Sequence, residues 1–322
     1  MPRRPRLTGA ATAALALGLV AAAPAAGPEP PVTDARIVAR FDPAAGQTAE
    51  NIALEPDGSA DLTFAYARTV AHVSLDGTTT TRATLPVVAH PATPRLRRAV
   101  VTGIARAHDG TLYVNYATGT SATGIWRLSP GGGPPVRIAR LPADGFPNGL
   151  ALDERRGVLY AADSVRGTVW RVPGSGGPAV AWARRTELEP SRAGGFGANG
   201  VKVHRGAVWV SNSDRGTLLR LPVRDDGSAG PPETRAAGLD GVDDFCFAGT
   251  GRTVLAALDG GQVVLVGRDG SRAAVLGEAD GLSGPTSVAV RGRTVYVPSA
   301  AYRTRRAPNL VLARLRYPSG RL

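Results

Sequence analysis

The sequence predicts an all-β protein, a six-bladed β-propeller of four-stranded antiparallel blades, on three observations. First, residues 148–172, NGLALDERRGVLYAADSVRGTVWRV, read as a meander. An Asn-Gly opens an alternating run (Leu150, Leu152), a polar turn ends at Gly157, a second run follows (Val158, Tyr160), and a third begins at Thr168. Second, the stretch recurs: residues 199–221, NGVKVHRGAVWVSNSDRGTLLRL, repeat the Asn-Gly and the Arg-Gly-Thr, and fainter copies begin at Glu50, Thr102, Asp243 and Thr286. Third, the six copies start 43 to 52 residues apart, a spacing typical of propeller blades. One blade cannot bury both faces of its sheet, whereas a closed ring packs each blade between two neighbours.

Taken in order, residues 1–26 are expected to be a secretory signal peptide. Arg3, Arg4 and Arg6 precede an apolar run from Ala10 to Ala23 and the small-residue segment APAAG. That run is short and alanine-rich, and nothing later approaches the roughly 20 apolar residues of a membrane span. The mature protein is therefore expected to be secreted, extracellular and free of membrane. Pro and Arg follow the Arg3-Arg4 pair, which favours general secretion over twin-arginine export. Residues 27–40 read as an extended proline-rich arm entering the first blade, and 41–322 as one six-bladed domain. Connections at 86–99, 131–147 and 184–198 are placed to cover one mouth of the ring. The tail from Asn309, NLVLARLRY, alternates as a strand that closes the ring against N-terminal strands.

Composition narrows the function. The formal charge is +12, yet Lys202 is the only lysine among 38 basic residues, a pattern of codon bias. Arginines are scattered over all repeats with two tight clusters, Arg95 to Arg98 and Arg303 to Arg306, and no aromatic-interleaved basic strip, so no nucleic-acid partner is expected. Cys246 is the only cysteine, so no internal disulfide supports this exported chain. It reads as a buried strand residue, and four scattered histidines supply no zinc site or histidine-based nucleophilic centre. Trp126 and Trp170 hold equivalent third-strand places and read as packing between blades. Asp163 and Ser164, like Asn212 and Ser213, read as hairpin-turn residues.

The first positions of the six copies are Glu50, Thr102, Asn148, Asn199, Asp243 and Thr286. In a propeller such positions converge around the axis. Carboxylates and amides together make a hard-oxygen set suited to calcium or a similar divalent cation. Asn-Gly is also an ordinary turn signal, in which case the oxygens would only satisfy backbone groups around the channel.

These residues carry a resemblance to the senescence marker protein/gluconolactonase family, six-bladed propellers that include calcium-dependent lactonases. It covers about residues 50–300. The resemblance implies Glu50, Asn199 and Asp243 as metal ligands and Asn148 as a substrate contact, with Phe146 and Thr102 on the same substrate side. It also implies metal-assisted hydrolysis of a small lactone or ester, with Asp243 as general base. Three places depart from the family pattern: Asn51 and Ile52 follow the first-blade Glu, Asp244 replaces a Gly after Asp243, and Phe146-Pro147 replaces the Arg before Asn148. Exchanging a cationic contact for an apolar one suits a less polar substrate than a sugar lactone. The alternatives are a non-catalytic extracellular propeller that binds a small molecule, glycan or protein, and a strictosidine-synthase-like biosynthetic enzyme. A monomer is expected in each case.

Overall fold

The computed structural model describes residues 31–304 and 306–316. The signal-peptide segment lies outside the described residues. Twenty-four strands form six separate four-stranded antiparallel sheets, and no α-helix occurs among the described residues. The innermost strands of blades one to five are β2 (Ala49–Leu54), β6 (Val100–Arg106), β10 (Pro147–Asp153), β14 (Ala198–His204) and β18 (Val242–Phe247). Each is followed outward by three strands in sequence order.

Blade six is assembled from both ends of the chain. Its order is β22 (Ala289–Arg291), β23 (Thr294–Ser299), β24 (Asn309–Leu315) and then β1 (Val32–Arg40). Val32 pairs with Leu315 and Arg40 with Asn309. The tail thus closes the ring as its alternation predicted. The N-terminal arm, expected to lead into the first blade, supplies the outermost strand of the last.

Burial follows the radius. The inner strand β2 is buried along almost its whole length, whereas the outer strand β5 (Thr79–Thr84) is almost wholly exposed. One apolar cluster fills each junction between neighbouring blades. Leu62 and Phe64 of blade one meet Tyr296 and Leu310 of blade six, and Tyr160 and Val169 of blade three meet Val201 and Val208 of blade four. Trp126 and Trp170 join two of these clusters, as packing residues should. A disulfide-free chain is held by this repeated burial.

The inner strands share a defect that builds the site. In blades one to five the register to the second strand breaks at the first position of the repeat, between Ala49 and Asn51, Val101 and Ile104, Pro147 and Leu150, Ala198 and Val201, and Val242 and Phe245. A bulge leaves a residue out of the ladder and re-aims its side chain. The residues so released are Glu50, Thr102, Asn148, Asn199 and Asp243.

The glycines that follow are not turn residues. Gly103, Gly149 and Gly200 lie outside the left-handed region. A Cβ on Gly149 would stand 2.4 Å from the Asn199 carbonyl oxygen, and one on Gly103 2.3 Å from that of Asn148. The Asn-Gly pairs mark places where adjacent inner strands come too close for a side chain.

Candidate functional site

The bulged residues converge. Glu50, Thr102, Asn148, Asn199 and Asp243 line one cavity of about 270 Å³ at the axis, and Phe146 lines it with them. All six sequence-predicted site residues are therefore brought together. Thr286 does not line the cavity; its hydroxyl donates to the Ala49 carbonyl at 2.8 Å and so ties blade six to blade one.

Two serine relays orient the amides. Ser164 Oγ donates to the Ala198 carbonyl at 2.7 Å and Ser213 Oγ to the Val242 carbonyl at 2.6 Å. A hydroxyl has one proton, so each serine can only accept from its asparagine. Asn148 Nδ2 therefore faces Ser164 at 3.3 Å, and Asn199 Nδ2 faces Ser213 at 2.8 Å. Both Oδ1 atoms are left without a protein donor among the described residues. Thr102 Oγ1 donates to the Pro147 carbonyl at 2.8 Å, so it can only accept a bond from a ligand. Ser164 and Ser213 were legible in sequence as equivalent hairpin residues, but the structure makes them the parts that set the amide oxygens.

The carboxylates are crowded and buried. Burial, together with Asp259 and Asp244, pushes Glu50 up to about 7, against a hydrogen bond from Tyr302 that holds it down. Asp243 is raised well above the ordinary aspartate value by burial and by Glu50, Asp259 and Asp244, and a hydrogen bond from Asn199 opposes this. Asp259 is raised by burial and lowered by Arg303. Tyr302 Oη donates to Glu50 Oε2 at 2.5 Å. Burial beside Glu50 pushes that phenol well above its ordinary value, which keeps the proton on the tyrosine. Neither Glu50 nor Asp243 has an arginine or lysine partner among the described residues.

Beneath this site, the departures from the family pattern answer one another. Asp244 is buried and accepts hydrogen bonds from Lys202 Nζ at 2.6 and 2.7 Å, Ser287 Oγ at 2.7 Å and Asn51 Nδ2 at 3.2 Å. Its partners come from blades four, six and one. The one lysine of the chain thus neutralises Asp244, an inner-strand carboxylate that does not line the cavity.

Among the described residues, no three His, Cys, Asp or Glu side chains gather closely enough to hold a metal between them. The donor chemistry nevertheless fits a hard divalent cation. Glu50 and Asp243 are two buried carboxylates with no balancing cation, and Asn199 and Asn148 offer amide oxygens with no donor. Such groups are costly to bury charged unless something positive joins them.

Above the floor the walls are apolar. Phe146 and Phe196 meet edge to face at 5.3 Å, and Tyr66 lies 5.5 Å from Tyr302. Ala65, Val100, Phe146, Leu96, Tyr66 and Phe196 belong to a separate apolar cluster at this mouth. Of the connections expected to cover the mouth, 86–99 contributes Leu96, 131–147 contributes Phe146 and 184–198 contributes Phe196. The second of these also contains a strand, β9 (Val136–Arg140). The loop of residues 300–308, which brings Tyr302 and Arg303, carries no repeat signal, and sequence reasoning missed it.

No family model and no curated protein matches the chain. Solved structures match its fold over most of its length. A luciferin-regenerating enzyme superposes with a TM-score of 0.65 at 11% identity, covering 89% of this chain and 97% of its own. A protein assigned as a gluconolactonase gives 0.62 at 18% identity over 88% and 92%. Regucalcin from Agrobacterium tumefaciens C58, a calcium-binding protein, gives 0.61 at 16% identity over 90% and 96%. The six-bladed fold is the one the resemblance implied. At these identities the likeness shows the fold alone, and the chemistry must be argued from the site.

Proposed function

We propose that the protein is a secreted, metal-dependent hydrolase of lactone or ester bonds acting on a small, predominantly apolar substrate. One observation carries this reading: Glu50, Asn199, Asp243 and Asn148, from four different blades, share one cavity with unbalanced carboxylates at its floor. Glu50, Asn199 and Asp243 would hold a divalent cation, calcium by the hardness of the oxygens. When bound, that cation supplies polarisation of the substrate carbonyl and a lowered pKa for an attacking water.

The chain's own residues do the rest. Asp243, at the edge of the ligand set, takes the proton of the water as it adds to the carbonyl carbon and returns it to the alkoxide oxygen as the C–O bond breaks. Asn148 Oδ1, set by Ser164, and the lone pairs of Thr102 can only accept, so they orient the O–H bonds of the attacking water beside the substrate's carbonyl end. Phe146 and Phe196 exclude water from its apolar part and offer nothing to the hydroxyls of a sugar lactone. The fold similarity to a gluconolactonase-assigned protein and to regucalcin supports the reading.

A cation that merely ties the ring together is a weaker reading, because the Asp244 network already joins four blades across the axis. Calorimetric titration of calcium into the mature protein and into Asp243→Ala tests the proposal. The expected result is micromolar binding to the former, about a hundredfold weaker in the variant, with calcium-dependent turnover of apolar lactones or esters above that of gluconolactone. Silence of both proteins toward calcium, manganese and zinc would overturn it.

A further inference from the structure

The two tight arginine clusters, Arg95 to Arg98 and Arg303 to Arg306, belong to distant parts of the chain, and codon usage accounts for their number. It does not account for their place. The loop of residues 86–99 puts the Arg98 guanidinium carbon 4.4 Å from the centre of the Tyr66 ring, on the cavity wall. The 300–308 loop sets Tyr302 against the same ring and brings Arg303 to the cavity lining. One arginine of each cluster, Arg98 and Arg303, therefore reaches the same rim.

The rim guanidiniums are only partly engaged. Arg98 is exposed, and the Tyr66 face is the side-chain partner that the structure gives it. Arg303 is 78% exposed, with one loose partner, Asp259 Oδ2 at 3.5 Å. Stacking on an aromatic face fixes the plane of a guanidinium while leaving its N–H edge free, the arrangement that receives a carboxylate. From floor to rim the cavity has three tiers: hard oxygens, the Phe146–Phe196 throat, and two cationic forks.

We propose, resting on the hydrolase reading above, that the substrate is an amphipathic acid. Its ester or lactone carbonyl lies at the floor, its apolar or aromatic body fills the throat, and a carboxylate at its far end is held by Arg98 and Arg303. A neutral apolar ester uses only two of the three tiers. A polyhydroxylated lactone would strand its hydroxyls against phenylalanine.

The test pairs turnover with binding. Mono-p-nitrophenyl adipate and p-nitrophenyl hexanoate share a chain length and differ in a terminal carboxylate. With calcium present, the adipate ester is expected to show about tenfold higher kcat/KM, carried in KM. That advantage shrinks as salt screens the rim. Arg98→Gln with Arg303→Gln brings the ratio to about one, and Arg303→Glu alone inverts it. Melting temperatures recorded alongside show that these exposed substitutions leave the ring folded.

Calorimetry with phenylhexanoate and phenylhexanamide needs no turnover, and the acid is expected to bind about tenfold more tightly than the amide in an arginine-dependent way. If neither ester is hydrolysed but the acid keeps that advantage, the hydrolase reading falls and the amphipathic-acid site stands. Equal or absent binding of acid and amide overturns the inference, whatever the esters do.

Discussion

Lys202 Nζ lies 2.6 and 2.7 Å from the two carboxylate oxygens of Asp244, one inner strand away. With Asn51 and Ser287 the pair forms a polar plug that joins blades four, five, six and one just below the cavity. A lysine in a chain otherwise served by arginine fits this place because its ammonium is compact and can meet a single carboxylate in a narrow channel.

Removing the lysine should be costly, since Asp244 is 1% exposed and would be left charged without its counterion. Lys202→Met is expected to lower unfolding free energy by about 2–4 kcal/mol. Adding Asp244→Asn should recover part of that loss, because the stranded charge goes with it. Urea denaturation of the single and double variants reads both values, and a Lys202→Met protein as stable as the wild type would refute the plug.

Stability of the calcium-free protein should fall with rising pH. Burial raises Glu50 to about 7, and Asp61, buried beside Glu55 and Arg82, is raised to about 8. Each carboxyl holds its proton longer folded than unfolded, so folding is favoured at low pH and loses that support as pH climbs through those values. His204, held low by burial, acts in the opposite direction only below its unfolded value of about 6.5. Between pH of about 6.5 and 8.5 the melting temperature should therefore drop by several degrees. Saturating calcium should remove the share of Glu50 and Asp243, Asp61→Asn its own share, and a smaller slope from Asp259, whose carboxyl burial also raises, should persist. Scanning calorimetry across the pH series distinguishes these shares.

Gly149→Ala probes the approach of blades three and four. Its Cβ would meet the Asn199 carbonyl oxygen at 2.4 Å and Val201 N at 2.8 Å, both backbone atoms. Neither can give way without moving the inner strand that carries Asn199. A loss of about 1–3 kcal/mol is expected, together with calcium binding weakened more than tenfold because the amide is displaced from its serine relay. Denaturation and calorimetry on one sample check both. A variant with full calcium affinity would show that the strands can part freely.

The repeats made the ring and its axial residues legible because both depend on local pattern. Six similar stretches imply six blades, and equal places in equal blades meet at the axis. Glu50, Asn148, Asn199 and Asp243 could be named on that ground. The partners that set them could not. Asp244 and Lys202 are 42 residues apart and look like an irregular acid and an ordinary base until the bulges fix which inner-strand residues face one another. Tyr302 stands in a loop without periodicity, so nothing in the chain announces its bond to Glu50. Asn148-Gly149 was legible as a motif but ambiguous in meaning, since turn chemistry and close strand approach both select glycine and only the backbone tells them apart.

The seam in blade six sets an order of events. Tyr302 and Arg303 hang between β23 and β24, and β24 is held on its outer side by β1, from the other end of the chain. A molecule whose first and last strands have not yet met can pack five complete blades and still lack the hydroxyl that meets Glu50 and the guanidinium at the rim. Pairing of such sequence-distant strands carries a large loop-closure cost, so the cavity is expected to be completed only when the two ends of the chain meet. Competence is thereby coupled to completion: an unsealed ring holds most of its core but a site that lacks the wall supplied by Tyr302 and Arg303.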